Sequence, residues 1–320
     1  MSNLDARPAP ADCGGEPHPG PTRDLLPGRL TPLGESTVVR RLLPSLGRRM
    51  VGAWIFVDHY GPDDIAGEPG MQVPPHPHIG LQTVSWLHDG EVLHRDSLGS
   101  LSTIRPRELA LMTSGHGISH SEESPRDHAR LLHGAQLWVA LPRERKDTAP
   151  AFEHHRELPT FAGGGGVSGT VFLGEFDGAA SPGTVHTPLA GVDLALAAGA
   201  ETRLPLIEEF EYAVLSMAGA CTVDDVRVEP GSLLYLGHGR RDLPVRADTD
   251  AKVMLLGGLP FDEKLVMWWN FVGRSQADIE QARTAWEEGR RFGAVEGYDG
   301  APLTAPPLPP VPLKPRGRAR

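Results

Sequence analysis

Between Thr37 and Leu141 the hydrophobic positions come in short runs of four to eleven residues, each closed by a turn signal. Thr37–Leu43, Val51–Tyr60, Leu81–Leu87, Val92–Arg95, Ser102–Arg105, Glu108–Thr113 and Leu131–Leu141 all have this form, with Gly61-Pro62, Asp89-Gly90 and Leu98-Gly99 among the breaks between them. Runs of that length and spacing predict β-strands in a sandwich or barrel of the jelly-roll kind, not helices. Pro142 to Gly166 is polar and rich in Pro, Gly and His, and reads as a connection. Beyond it the strand pattern resumes. Leu204-Pro205-Leu206-Ile207 aligns with His76-Pro77-His78-Ile79, and Glu229-Pro230-Gly231-Ser232-Leu233 with Arg105-Pro106-Arg107-Glu108-Leu109. A repeat of this kind predicts two related barrels. One helix is expected near the end, where Ser275 and Asp278 have capping-box spacing and Ile279, Ala282 and Trp286 share a face.

Composition supports this picture. Gly 38 and Pro 31 make up about a fifth of the 320 residues, which favours turns over long helices. The balance of 31 basic and 41 acidic side chains, formally −10, disfavours direct nucleic-acid binding. No apolar run is long enough to span a membrane. The two cysteines, Cys13 and Cys221, are far apart, so a reducing cytoplasm is the expected setting and a monomer the expected state. Residues 1–28 read as a disordered tail, 29–150 as a first barrel, 151–300 as a second barrel plus helix, and 301–320 as a disordered Pro-rich basic tail.

The chemistry concentrates at the two ends of one stretch. His76 and His78 stand two apart, as do His120 and Glu122. In an extended strand, alternate side chains share a face, so each pair offers two donors in one direction. On neighbouring strands the pairs supply three imidazoles and a carboxylate, a set that suits Fe, Ni, Cu, Mn or Zn. Taken alone, the same residues also fit a proline-flanked surface loop and an ordinary polar pair. Pro77 stiffens the first pair and removes a backbone donor between the imidazoles. His59, His88, His94 and His116 lack paired spacing and read as hydrogen-bonded or solvated. Asp58 and Gln136 are strand-end polar groups that could line a pocket.

Several of these stretches resemble the pirin family of the cupin superfamily. They are Arg48-Arg49-Met50-Val51-Gly52, Asp58-His59-Tyr60-Gly61-Pro62, Pro75-His76-Pro77-His78-Ile79-Gly80-Leu81-Gln82, Gly115-His116-Gly117-Ile118-Ser119-His120-Ser121-Glu122 and Leu255-Leu256-Gly257-Gly258. The resemblance covers about residues 36–293. It implies an all-β chain of two tandem cupin barrels, with one metal in the first, most often iron, held by His76, His78, His120 and Glu122. The second barrel is expected to be metal-free, with Leu204 and Leu206 where the histidines stand. Gln82 replaces a glutamate common in the family, and its neutrality is expected to alter charge near the metal. Two functions follow from the resemblance. One is a quercetin 2,3-dioxygenase-like enzyme that takes a small aromatic flavonol or catechol and O2, with Glu122 as the proton acceptor. The other is a redox-responsive iron module that binds a protein partner.

Overall fold

The computed structural model describes residues 20–33 and 37–318. The described chain is almost entirely β, with one helix, Gln276–Glu287. Two sandwiches are built alike. In the first, a large antiparallel sheet has the strand order Ala151–His155, Leu109–Thr113, Leu81–Asp89, Leu131–Ala140, Trp54–Asp64, Thr37–Leu43, Arg29–Leu33. It faces a small sheet of Gln72–His78, Ile118–Glu123, Val92–Asp96 and Leu101–Ile104. In the second, Pro21–Pro27, Ser232–Gly237, Glu211–Ala218, Ala251–Gly258, Leu189–Leu196, Val167–Phe176 and Thr160–Gly164 form the large sheet. Its small sheet is Ala200–Pro205, Asp242–Ala247, Cys221–Val223 and Val226–Val228. This is the two-barrel, jelly-roll architecture that the repeat predicts.

The two large sheets pack against each other, so their central strands are buried on both faces. That explains why Leu81–Asp89 reads as a nearly continuous buried run instead of a clean alternation. One face carries Val84 and Trp86 into a core shared with Phe172, Leu173, Leu215 and Leu256 of the second barrel. The Trp86 and Phe172 rings stack at 5.1 Å, and Trp54 meets Phe172 edge-on at 6.1 Å. Rings of this size bury 150–250 Å² each, worth roughly 4–6 kcal/mol apiece at about 25 cal/mol per Å². Residues of both barrels thus share one core.

The ends of the chain differ from expectation. Of the tail expected at 1–28, residues 1–19 lie outside the described residues, Cys13 with them. Pro21–Pro27 is instead a strand on the edge of the second barrel, paired with Ser232–Gly237. Its alternation is weak and its partner is two hundred residues away, so local pattern does not reveal it. Ala151–His155, assigned by sequence to the second barrel, pairs with Leu109–Thr113 of the first. Each barrel thus takes an edge strand from beyond its own stretch of chain.

The segment 301–318, expected to be a disordered tail, lies along the helix. Trp286 Nε1 donates to the Leu303 carbonyl at 2.7 Å, and Gln276 Oε1 accepts from the Leu313 amide at 2.9 Å. Ala305 and Leu313 are buried in the small core that this creates. The helix itself begins as expected, with Ser275 and Asp278 completing a reciprocal capping box.

Candidate metal centre

The strands Gln72–His78 and Ile118–Glu123 run antiparallel in the small sheet of the first barrel, with His76 directly opposite His120. His76, His78 and His120 all point into the barrel and are 0–1 % exposed. Their ring centroids lie 4.3–5.1 Å apart, and one donor atom from each falls within 4.8 Å of the others. Period-two alternation therefore does what the spacing predicts.

The hydrogen bonds decide which nitrogens face inward. His76 Nδ1 lies 2.8 Å from the Pro74 carbonyl and His78 Nδ1 lies 3.0 Å from the Asn270 carbonyl. A carbonyl only accepts, so both Nδ1 atoms carry the proton and both Nε2 atoms keep their lone pair. His120 is set by a longer chain. His94 Nε2 donates to Asp96 at 3.0 Å, which leaves the His94 Nδ1 lone pair to accept from His120 Nδ1 at 3.4 Å. The three Nε2 atoms are all buried and without a hydrogen-bond partner. Three orphaned lone pairs converging in a buried site would be costly unless something binds them. Burial pushes the His76 ring down to about 4, and burial with the neighbouring rings holds His78 and His120 well below the ordinary histidine range. All three are therefore neutral, the form that ligates metal. The donor set fits a divalent transition metal.

Glu122 stands two residues beyond His120, past a bulge in the pairing with Gln72–His78. It is buried, and its Oε1 accepts from Ser85 Oγ at 2.9 Å. Ser85 Oγ also lies 2.8 Å from Gln136 Oε1. One hydroxyl proton serves one acceptor at a time, so Ser85 couples the amide to the carboxylate. Asp58, the other polar group singled out, receives a bidentate pair from Arg41 at 2.9 and 2.7 Å. Trp138 completes the wall, edge-on to His78 at 5.2 Å and stacked on Phe56 at 4.2 Å.

Other residues fall elsewhere. Gln82 alternates with Ser85 and so faces the inter-barrel side. Its Nε2 donates to Thr113 Oγ1 and to the Thr184 carbonyl of the second barrel. The expected change of charge at the metal is thus corrected: position 82 belongs to the seam between barrels. His94 was passed over for lack of paired spacing, yet it orients His120; its link to Asp96, two residues on, was the available signal. His59 and His88 are buried at the seam with His133, and His116 lies on the surface. Asn270 carries no sequence signal, because it reaches His78 from the hairpin Val266–Trp268/Phe271–Gly273 at the far end of the chain.

The second barrel supplies an internal comparison. Leu204 pairs with Leu243 where His76 pairs with His120, and Val245 follows Leu243 as Glu122 follows His120. Leu204, Leu243 and Val245 are part of a closed apolar core, with Leu206 packed on it.

Fold and site together define a two-barrel cupin with a buried three-histidine cluster, able to hold a metal ion, in its first barrel. The chain belongs to the pirin family. The Pirin model matches residues 36–139 and the Pirin C-terminal cupin domain model residues 191–293. A Pseudomonas aeruginosa protein named provisionally as a quercetin 2,3-dioxygenase is 47% identical over 282 residues, covering 88% of this chain and 89% of its own. A pirin-like protein of Caulobacter vibrioides is 41% identical, over 79% of this chain and 88% of its own. The crystal structure of quercetin 2,3-dioxygenase from Acinetobacter baumannii superposes with a TM-score of 0.88 at 41% identity, covering 92% of this chain and 97% of that one.

Proposed function

We propose that this pirin is a metal-dependent dioxygenase of flavonol- or catechol-type aromatics, carrying one divalent ion, Fe(II) before Ni, Cu, Mn or Zn. His76, His78 and His120 hold the ion and Glu122 is its fourth ligand. The observation that carries this reading is the convergence of three buried Nε2 atoms with no other partner. The Acinetobacter enzyme's name and high identity supply the substrate class.

When bound, the cation supplies Lewis acidity that favours the anionic form of a substrate hydroxyl, together with redox capacity toward O2. The chain does the rest. Glu122 accepts the hydroxyl proton at a carboxylate oxygen. Ser85 holds that carboxylate in place by donating to Oε1, with Gln136 Oε1 as the alternative acceptor of the same proton. Trp138, edge-on to His78 and backed by Phe56, is the aromatic group that lies beside that histidine.

The test is anaerobic purification, metal analysis and iron loading, followed by oxygen uptake with flavonols and catechols. Stoichiometric iron with substrate-dependent uptake is expected. Fully loaded protein that consumes no oxygen with any of them would overturn the enzymatic reading.

A further inference from the structure

Gln72–His78, which carries His76 and His78, is the edge strand of its sheet. It pairs with Ile118–Glu123 on one side and, among the described residues, with no strand of that sheet on the other. Pro74, Pro75 and Pro77 have no amide to offer a further strand, so only carbonyls are left along the open edge. His120 is placed differently, because its strand is paired on both sides. Two of the three histidines therefore stand on backbone that its own sheet holds from one side only, whereas ligands need to be held to about 0.5 Å.

Two pieces from the end of the chain cover that edge. One is the hairpin strand Phe271–Gly273, in which Phe271 bridges Ile79 and the Val272 amide donates to the Ile79 carbonyl. The other is the segment after Gly300. The Leu303 amide donates to the Pro75 carbonyl at 2.8 Å. Pro75 lies between His76 and Pro74, whose carbonyl accepts the His76 Nδ1 proton.

The same segment runs on to the base of the hairpin. Leu265, immediately before Val266–Trp268, exchanges both backbone hydrogen bonds with Arg316, at 2.9 and 2.8 Å. Asn270, at the tip of that hairpin, orients His78. Between these anchors the helix fastens the segment again. Glu287 Oε1 accepts from the Ala305 amide and Arg283 Nε donates to the Pro306 carbonyl, both at 2.7 Å, in addition to the bonds from Trp286 and Gln276. Its prolines narrow the paths open to the free segment, which lowers the entropy lost on docking.

We propose that residues 301–318 are a strap that positions both histidines of the edge strand, His76 through Pro75 and His78 through the hairpin, so that metal retention depends on it. This rests on reading His76, His78 and His120 as metal ligands. The match to the Pirin C-terminal model ends at residue 293, so the strap lies beyond the matched part of the chain.

The test is competitive chelator titration with Co(II), whose visible bands report ligand geometry, at a temperature where every variant is folded. L303P removes the amide that reaches Pro75, and truncation after Pro310 removes the anchor on Leu265. Each is expected to weaken Co(II) about tenfold or more and to shift its bands, within the range for lost supports of a ligating ring. V245A, which loosens the core of the second barrel, is expected to lower Tm and to bind Co(II) as wild type does. Co(II) held as tightly by L303P and by the truncated chain as by wild type overturns the strap. So does a loss in V245A as large as in L303P, because affinity would then follow general stability. Should the truncated chain not fold, L303P decides alone. Wild type that binds no Co(II) would instead remove the metal reading on which the strap rests.

Discussion

His78 donates its Nδ1 proton to the carbonyl of Asn270, 3.0 Å away and 192 residues downstream. A proposed metal ligand in the first barrel is therefore oriented by a hairpin that follows the second. The same hairpin is tied to the metal-bearing strand by the Val272 amide, which donates to the Ile79 carbonyl at 3.2 Å. Partners that fix a ligating ring typically alter metal affinity by about 10–100-fold when lost.

Gly80 tests this coupling. It sits at φ +71°, and a Cβ there would lie 2.1 Å from the Val272 carbonyl oxygen. G80A therefore pushes the hairpin away from the strand two residues beyond His78. Competitive chelator titration should show metal affinity lowered about tenfold or more, with the far-ultraviolet circular dichroism of wild type. Unchanged affinity in a stably folded G80A would show that the hairpin does not govern His78.

Glu122 and Ser85 separate proton acceptance from positioning. E122Q keeps the shape but cannot take a proton at neutral pH, so oxygen uptake should vanish and bound metal should fall. S85A removes the donor on Oε1 but leaves the carboxylate. It should lose about tenfold in turnover, within the range for general-base positioning, while retaining metal. Equal turnover in E122Q and wild type, measured at full metal loading, would remove Glu122 from the mechanism.

The convergence of His76, His78 and His120 was legible in the sequence because it depends on strand periodicity and the pairing of two strands. Glu122 lies beyond a register shift and outside that three-histidine cluster. By the same logic Leu204 was aligned with His76, and the register of Leu204 with Leu243 bears out that alignment. What escaped was contributed from a distance. Pro21–Pro27 is an edge strand with two prolines and little alternation, and its stability comes from Ser232–Gly237. The Pro-rich segment 301–318 has no pattern of its own, because the helix holds it through Trp286 and Gln276. Gln82 was misplaced for a subtler reason. The resemblance alone put it near the metal, whereas after the reversal at Gly80 the next strand lies in the other sheet.

The seam between the barrels should weaken in acid. His59 Nε2 and His133 Nε2 lie 3.1 Å apart, both rings buried. Burial, then the neighbouring imidazoles, pushes His59 down to about 3 and His133 to about 4. Unfolded histidines titrate near 6.5, so between pH 6.5 and about 4 the unfolded chain binds more protons than the folded one. Their neutral, folded-state contribution is fully present above pH 6.5 and is lost as pH falls through this window. Each excess proton steepens the loss by about 1.4 kcal/mol per pH unit. Urea midpoints of the metal-free protein should fall across the window, and less steeply in H133Q. Parallel slopes for the two proteins would exclude His133 as a contributor.

Phe172 is the place to ask whether two barrels unfold as one. Its ring comes from the second barrel yet stacks on Trp86 and meets Trp54, both of the first. It is fully buried, and Gly191 opposite it has no side chain to fill a void: a Cβ there would lie 2.5 Å from the ring. F172A leaves a cavity that the rigid sheets cannot collapse into, at a cost of about 3–5 kcal/mol. Because that cavity opens on both cores, denaturant unfolding followed by tryptophan fluorescence and by far-ultraviolet circular dichroism should give one coincident transition at a lower midpoint. Two separated transitions, with the tryptophan signal of the first barrel unmoved, would mean that the shared core does not couple the barrels.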